Sequence, residues 1–227
     1  MEAQNNETHE KNININDFKK DIVINPWFSI WLKPRQTMRY VLNNKPSRIF
    51  LFLLIFLGTF KSFDLDIGTS YLILNSIDQI NSSVNLSSIL FTSIIGSLIL
   101  AVGAYYIYPI LLRWFGSLLG GKGTTQEVRN AYAYSLIPQV YLLIFVAIPS
   151  LLLFGIENYT EYKPRIESSL LLERLFIILN SLDYIIGIWA IFITIKCLAE
   201  AHQFSFWRSL GTTIIGVLVI SIPFYFL

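Results

Sequence analysis

Charge is what this sequence has least of. Asp, Glu, Lys and Arg together make up 14% of its 227 residues, where a soluble domain carries about 25%. The shortfall lies after Ser47 and excludes an ordinary water-soluble globule there. Cysteine occurs only at Cys197, so no intrachain disulfide can form. Histidine occurs only as His9 and His202. Neither a Ser-His-Asp grouping nor a His/Cys metal cluster has the residues it needs, and no paired carboxylates stand inside the apolar runs. No catalytic set, metal or cofactor is therefore expected. A net charge of +2 gives no surplus of the kind that marks a nucleic-acid binder. The polar, acidic start has no apolar h-region, so a cleaved leader is not expected.

What the sequence has in abundance is apolar length: 54% of it is hydrophobic. Apolar runs occupy about 47–65, 89–112, 131–155, 172–198 and 206–227, near the ~20 residues that cross a bilayer. Each must be helical, because lipid offers the backbone no hydrogen bonds. Pro138 and Pro149 argue for kinks in the third. The fold class is therefore all-α, a polytopic bundle of five transmembrane helices over 47–227. Residues 1–22 read as a disordered cytoplasmic tail, too polar to offset their ordering entropy. Residues 23–46 read as an interfacial amphipathic helix. There Trp31, Pro34, Met38, Val41 and Leu42 share one face, with Arg35, Gln36, Arg39 and Asn43 opposite. The alternative is a plain lead-in to the first span.

Lys/Arg bias sets orientation. Lys33, Arg35, Arg39, Lys45 and Arg48 precede the first run, and none lies from Ser62 to Ser88, where Asp64, Asp66 and Asp78 sit. Arg113, Lys122 and Arg129 follow the second run, and Lys196 and Arg208 flank the last connection. Between the third and fourth runs, Lys163 and Arg165 are opposed by Glu157, Glu161 and Glu167. The N-terminus is expected in the cytoplasm and the C-terminus outside. Asn81, Asn85 and Asn158 match the glycosylation pattern on outer loops, a signal that speaks only in a eukaryotic source.

Four local features carry chemistry. Gly116 to Lys122 tempts a P-loop reading, but Gly123 stands where Ser or Thr should hold magnesium, and no strand precedes it. A flexible inner turn is the expectation, with a helix starting at the Thr124/Glu127 capping box. His202 reads as solvated or lipid-facing, Lys196 and Glu200 as an i,i+4 pair, and Cys197 as packing or a palmitoylation site. Lys61 lies about 21 Å into the first span and Asp183 about 16 Å into the fourth. With Asn180 beside them they are expected either to make an intramembrane polar contact or, for Lys61, to snorkel separately. Ser93, Ser97 and Ala101 repeat at four-residue spacing, a close-packing stripe for an internal contact or a dimer.

The order of several motifs resembles one family. Asn25-Pro26-Trp27 and Pro34-Arg35-Gln36-Thr37-Met38 precede the first span. Gly120-Gly121-Lys122-Gly123 is followed by Ala133-Tyr134-Ser135-Leu136-Ile137-Pro138. Leu198-Ala199-Glu200-Ala201-His202-Gln203-Phe204-Ser205 precedes the last. From about Asn25 onward the chain resembles the Yip-domain family of integral membrane proteins, in its bacterial form. The resemblance implies five spans and a cytoplasmic N-terminus. Eukaryotic relatives bind Ypt/Rab-type small GTPases in vesicle traffic, with a longer N-terminal region. Bacterial relatives look non-enzymatic and work beside ABC exporters or in envelope protection.

The expectation is thus a multi-pass, non-enzymatic accessory or scaffold protein of the cytoplasmic membrane, assisting a complex such as an ABC exporter or an envelope-protection system. Trp27, Trp31, Lys33, Arg35, Arg39, Lys122 and Arg208 would meet anionic lipid at the inner leaflet or a partner, whether exporter subunits or a second copy. A small transporter or channel using Lys61 and Asp183 is the alternative, and a GTPase-binding trafficking factor if the source is eukaryotic.

Overall fold

The computed structural model describes residues 25–44, 46–64, 86–159 and 163–225, and its regular elements there are all helical. The tail 1–22, most of the loop Gly68–Ser88, and Asn81 and Asn85 fall outside the described residues. Asn25 caps α1 (Pro26–Leu32), its side chain accepting the Trp27 N–H at 3.0 Å. Pro34 lacks the N–H that would continue this helix, so the chain breaks at Lys33 and restarts as α2 (Pro34–Asn44). The Thr37 hydroxyl bonds both the Lys33 carbonyl and Ser29 Oγ, fixing the elbow. α2 divides as its sequence requires: Pro34, Met38 and Val41 are buried, while Arg35, Gln36, Arg39 and Asn43 are exposed. Protein covers the apolar face, through the helices Leu170–His202 and Thr125–Ser135. That leaves the cationic face of α2 as its exposed one.

α3 (Arg48–Asp64) packs along α4 (Leu86–Leu118). Ser93, Ser97 and Ala101 are buried at that level, and Ala101 shares a core with Leu51, Leu54 and Ile55 of α3. The small-residue stripe is therefore buried within the chain itself.

Pro109 sits inside α4. It cannot donate to the Tyr105 carbonyl four residues back. Arg129 Nε, from α5 (Thr125–Ser135), donates to that carbonyl at 2.9 Å, and its guanidinium lies 4.6 Å from the Tyr105 ring centroid. Arg129→Met is expected to cost about 1–3 kcal/mol by leaving the carbonyl unpaired. Pro109→Ala restores the missing N–H, so it should abolish that cost. Thermal unfolding of both single variants and the double in detergent reads this out; equal losses with and without Pro109 would overturn it.

The third apolar run is broken where its prolines predict. α5 stops at Ser135, and α6 (Ile137–Leu142) carries Pro138 in its first turn. A π-turn at Leu143–Ala147 leads into α7 (Ile148–Phe154), which carries Pro149 in its first turn. α3 passes close to the first break: a Cβ on Gly58 would stand 2.8 Å from Leu136 Cβ. A 3₁₀ turn (Gly155–Tyr159) and the short α8 (Pro164–Glu167) follow, joined by Glu157 accepting the Arg165 and Ile166 N–H groups. α9 (Leu170–His202) has 33 residues, about 50 Å of helix. It packs on α2, α5 and α10 (Phe206–Tyr225). The Ser209 hydroxyl bonds the Ile195 carbonyl at 2.6 Å across the α9–α10 contact.

Among the described residues, three segments are long and apolar enough to cross a membrane: Ser93–Leu118, Thr125–Phe154 and Leu170–His202. α3 has 17 residues, and α10 contributes a shorter apolar stretch, Phe206–Val219. Ile188 on α9 is 70% exposed and Leu152 on α7 is 78% exposed. Exposed apolar side chains recur along α4, α9 and α10, a surface suited to hydrocarbon and not to water.

Candidate functional site

Two helix ends meet at one end of the bundle. α4 closes with Gly120 at φ +84°, the Gly120 N–H bonding Ser117 O and the Gly121 N–H bonding Gly116 O. α9 closes the same way on Gln203, at φ +56°, with Gln203 N–H to Glu200 O and Phe204 N–H to Ala199 O. This pair of bonds satisfies the last carbonyls of a helix but needs a left-handed residue, which glycine adopts freely and glutamine does not. The Lys122 N–H donates to the His202 carbonyl at 3.0 Å and joins the two ends.

His202 is the wedge between them. It is fully buried, with neither ring nitrogen hydrogen-bonded among the described residues. Gly116, Gly121 and Gly123 surround it: a Cβ on Gly121 would stand 2.5 Å from Nδ1, and one on Gly116 would overlap Cε1 and Nε2. The Phe204 ring lies 4.9 Å away. The expectation of a solvated or lipid-facing histidine is therefore corrected. The glycine-rich stretch, expected to be a flexible turn, is a packed one whose glycines exist to admit a ring.

α2 is latched to the same end. Arg39 Nε donates to Glu200 Oε1 at 2.8 Å, and Arg35 Nη2 to the Phe204 carbonyl at 3.3 Å. Glu200 thus pairs with Arg39 and not with Lys196, correcting the expected i,i+4 pair. Lys196 Nζ rests instead about 5 Å from the Phe192 and Phe206 ring centroids. Cys197 is fully buried, which leaves packing as its role here and no access for an acyl group. Lys33, Arg35, Arg39, Lys122 and Arg208 all keep exposed side chains. Arg208 Nη1 lies against the Gly120 turn, 3.4 Å from where a Cβ would be. The carbonyl ends of α4 and α9 give this region a negative helix-end potential, which the cations complement. Trp27 and Trp31 are half-buried against Phe50 and Tyr141.

The second polar feature lies inside the bundle. Lys61 Nζ stands 3.0 Å from Asp183 Oδ1, with Lys61 almost fully buried. The distance makes an ion pair, though Oδ1 is outside hydrogen-bond alignment. Asn180 is one turn away but spends its amide on the Phe176 carbonyl at 2.8 Å.

The three stretches at the His202 end, 34–39, 116–123 and 198–204, are far apart in sequence and share one structural unit. The Yip1 domain model matches residues 28–227. The chain belongs to the Yip1 domain family. No curated protein and no solved structure matches it. In this Yip1 domain, sequence reasoning missed His202 as a structural centre and Arg129 as the partner of Pro109. Both carried a signal: three glycines at 116, 121 and 123 leave space for a ring, and a mid-helix proline frees a carbonyl that needs a donor.

Proposed function

We propose that this multi-pass Yip1-domain membrane protein is a non-enzymatic accessory or scaffold subunit of a cytoplasmic-membrane complex. It crosses five times with its N-terminus in the cytoplasm, and an ABC exporter is the partner we favour. One observation carries the reading. At the His202 end, backbone and Arg35 hydrogen bonds tie α2, α4 and α9 to one another, while Lys33, Lys122 and Arg208 project from that frame. A rigid cationic end suits docking to anionic lipid and to a partner's cytoplasmic surface.

The test is chemical crosslinking in native membranes, then detergent extraction through a tag on the chain. Exporter subunits are expected in the wild-type sample and are expected to fall about tenfold on Lys122→Glu with Arg208→Glu, two charge reversals at a docking rim. Recovery of the lone chain, or of a second copy only, would sink the proposal.

A transport role is the second reading, favoured by the Lys61–Asp183 pair within the bundle. An ionisable pair at that depth is the usual mark of a permeation path.

A further inference from the structure

Lys196, Phe192, Trp189 and Ile185 follow one another on α9 at intervals of four, three and four, so they form one stripe. α1 and the start of α2 lie over this stripe, pinned where the Trp189 indole N–H donates to the Trp31 carbonyl at 3.2 Å. Two openings lie along the seam. The first, of about 350 Å³, has Lys33, Arg35, Gln36, Phe192 and Lys196 in its walls and no carboxylate among its lining residues. The second, of about 480 Å³, is lined by Trp31, Ile185, Ile186, Ile188 and Trp189 and is apolar.

The first opening is electrostatically incomplete. Three cations from two elements face one space. Neither Lys33 nor Lys196 has an ion-pair partner among the described residues, and the nearby Glu200 is committed to Arg39. Like charges so gathered repel unless an anion sits among them. In the first turn of α2, Pro34 has no N–H and the Thr37 N–H bonds the Lys33 carbonyl, which leaves the Arg35 and Gln36 N–H groups at the positive helix end. The second opening is on a membrane-spanning helix, where hydrocarbon is the solvent. From Lys196 to Ile185 is about 17 Å along α9, close to the ~15 Å depth of one leaflet's hydrocarbon.

We propose that the seam between α1–α2 and α9 binds one phospholipid, its phosphate among Lys33, Arg35 and Lys196 and an acyl chain against Trp31, Ile185, Ile188 and Trp189. The bound lipid neutralises the elbow and fills the groove below it. The proposal rests on the membrane reading and not on any partner complex, so loss of exporter capture leaves it standing.

Native mass spectrometry of the full chain, released from nanodiscs of phosphatidylcholine with a minor share of phosphatidylglycerol, tests it. The wild type is expected to retain one phosphatidylglycerol per chain, and millimolar inorganic phosphate is expected not to displace it. Lys33→Gln with Lys196→Gln should weaken retention about twenty-five-fold, each lysine contributing about fivefold. Ile188→Trp fills the apolar opening from its lipid-exposed side without touching the core, and should also strip the lipid. Arg113→Gln, at an exposed cation outside the seam and hydrogen-bonded to Thr125, should leave retention unchanged. Undiminished retention in the Ile188→Trp variant would overturn the proposal, whether or not the lysine variant folds. So would equal loss on Arg113→Gln, which would mean diffuse surface charge, and full displacement by phosphate, which would mean a site for the free anion.

Discussion

Gly116→Ala is expected to destabilise the protein by about 3 kcal/mol, the upper range for forcing a methyl into a packed interior. The new Cβ would overlap Cε1 and Nε2 of His202. The ring has no room to swing away, because Gly121 and Gly123 close its other side. His202→Ala alone should cost about as much, by opening a cavity at a fully buried site. The double variant is the informative one. With the imidazole gone the alanine methyl has space, so the pair should be no worse than His202→Ala. Gly123→Ala is the contrast. Its Cβ would meet the Ala201 carbonyl oxygen at 2.7 Å, a backbone atom that stays when the histidine is removed. Thermal unfolding in detergent, followed by tryptophan fluorescence, reads all four. Additive losses for Gly116→Ala and His202→Ala would mean that the ring is not what the glycine accommodates.

Lys61→Met and Asp183→Asn are each expected to cost about 3 kcal/mol or more, while the double variant costs less than the worse of the two. The reasoning is electrostatic. A buried ion pair repays little net free energy over an apolar pair of similar size, but taking away one charge leaves the other in a medium that solvates it poorly. Lys61 is almost fully buried, and the Asp183 side chain is 18% exposed. The damage should therefore be greater when the carboxylate is neutralised and the ammonium remains. Unfolding midpoints in detergent and in lipid vesicles check it, with the larger effect in lipid. Singles that behave like wild type would show that the 3.0 Å approach has no energetic weight. Because Asn180 is bonded to its own helix, Asn180→Ala should have the smallest effect of the group.

Much of this was readable from the linear chain, for identifiable reasons. Helix starts obey local rules. Thr124 and Glu127 form the capping box their spacing predicts, with the Glu127 carboxylate accepting the Thr124 N–H at 2.7 Å. The restarts at Pro34 and Pro138 and the π-helical stretch before Pro149 follow from a missing N–H with no other donor at hand. The two faces of α2 follow from the 3.6-residue period. The expected runs also fall on helices, although α4 and α9 extend well past 89–112 and 172–198.

The misreadings share a cause. A histidine, a glutamate and a glycine run were judged by their neighbours in sequence. Their actual partners come from elements that sequence spacing cannot place: Arg39 for Glu200, Gly116 and Gly121 for His202, Arg129 for Tyr105. Amphipathicity reports that a face of α2 is covered and not what covers it; Met38 and Val41 pack into the protein's own core.

The sequence by itself determined the solvent of this protein and its helical character, because too few charges over long apolar runs leave a backbone in hydrocarbon no other way to satisfy its hydrogen bonds. It also determined where helices break, since caps and prolines act over a few residues. Only the tertiary structure decided which polar groups are spent inside and which face outward. That is set by close approach of chain segments remote in sequence, down to the space one missing methyl leaves for an imidazole ring.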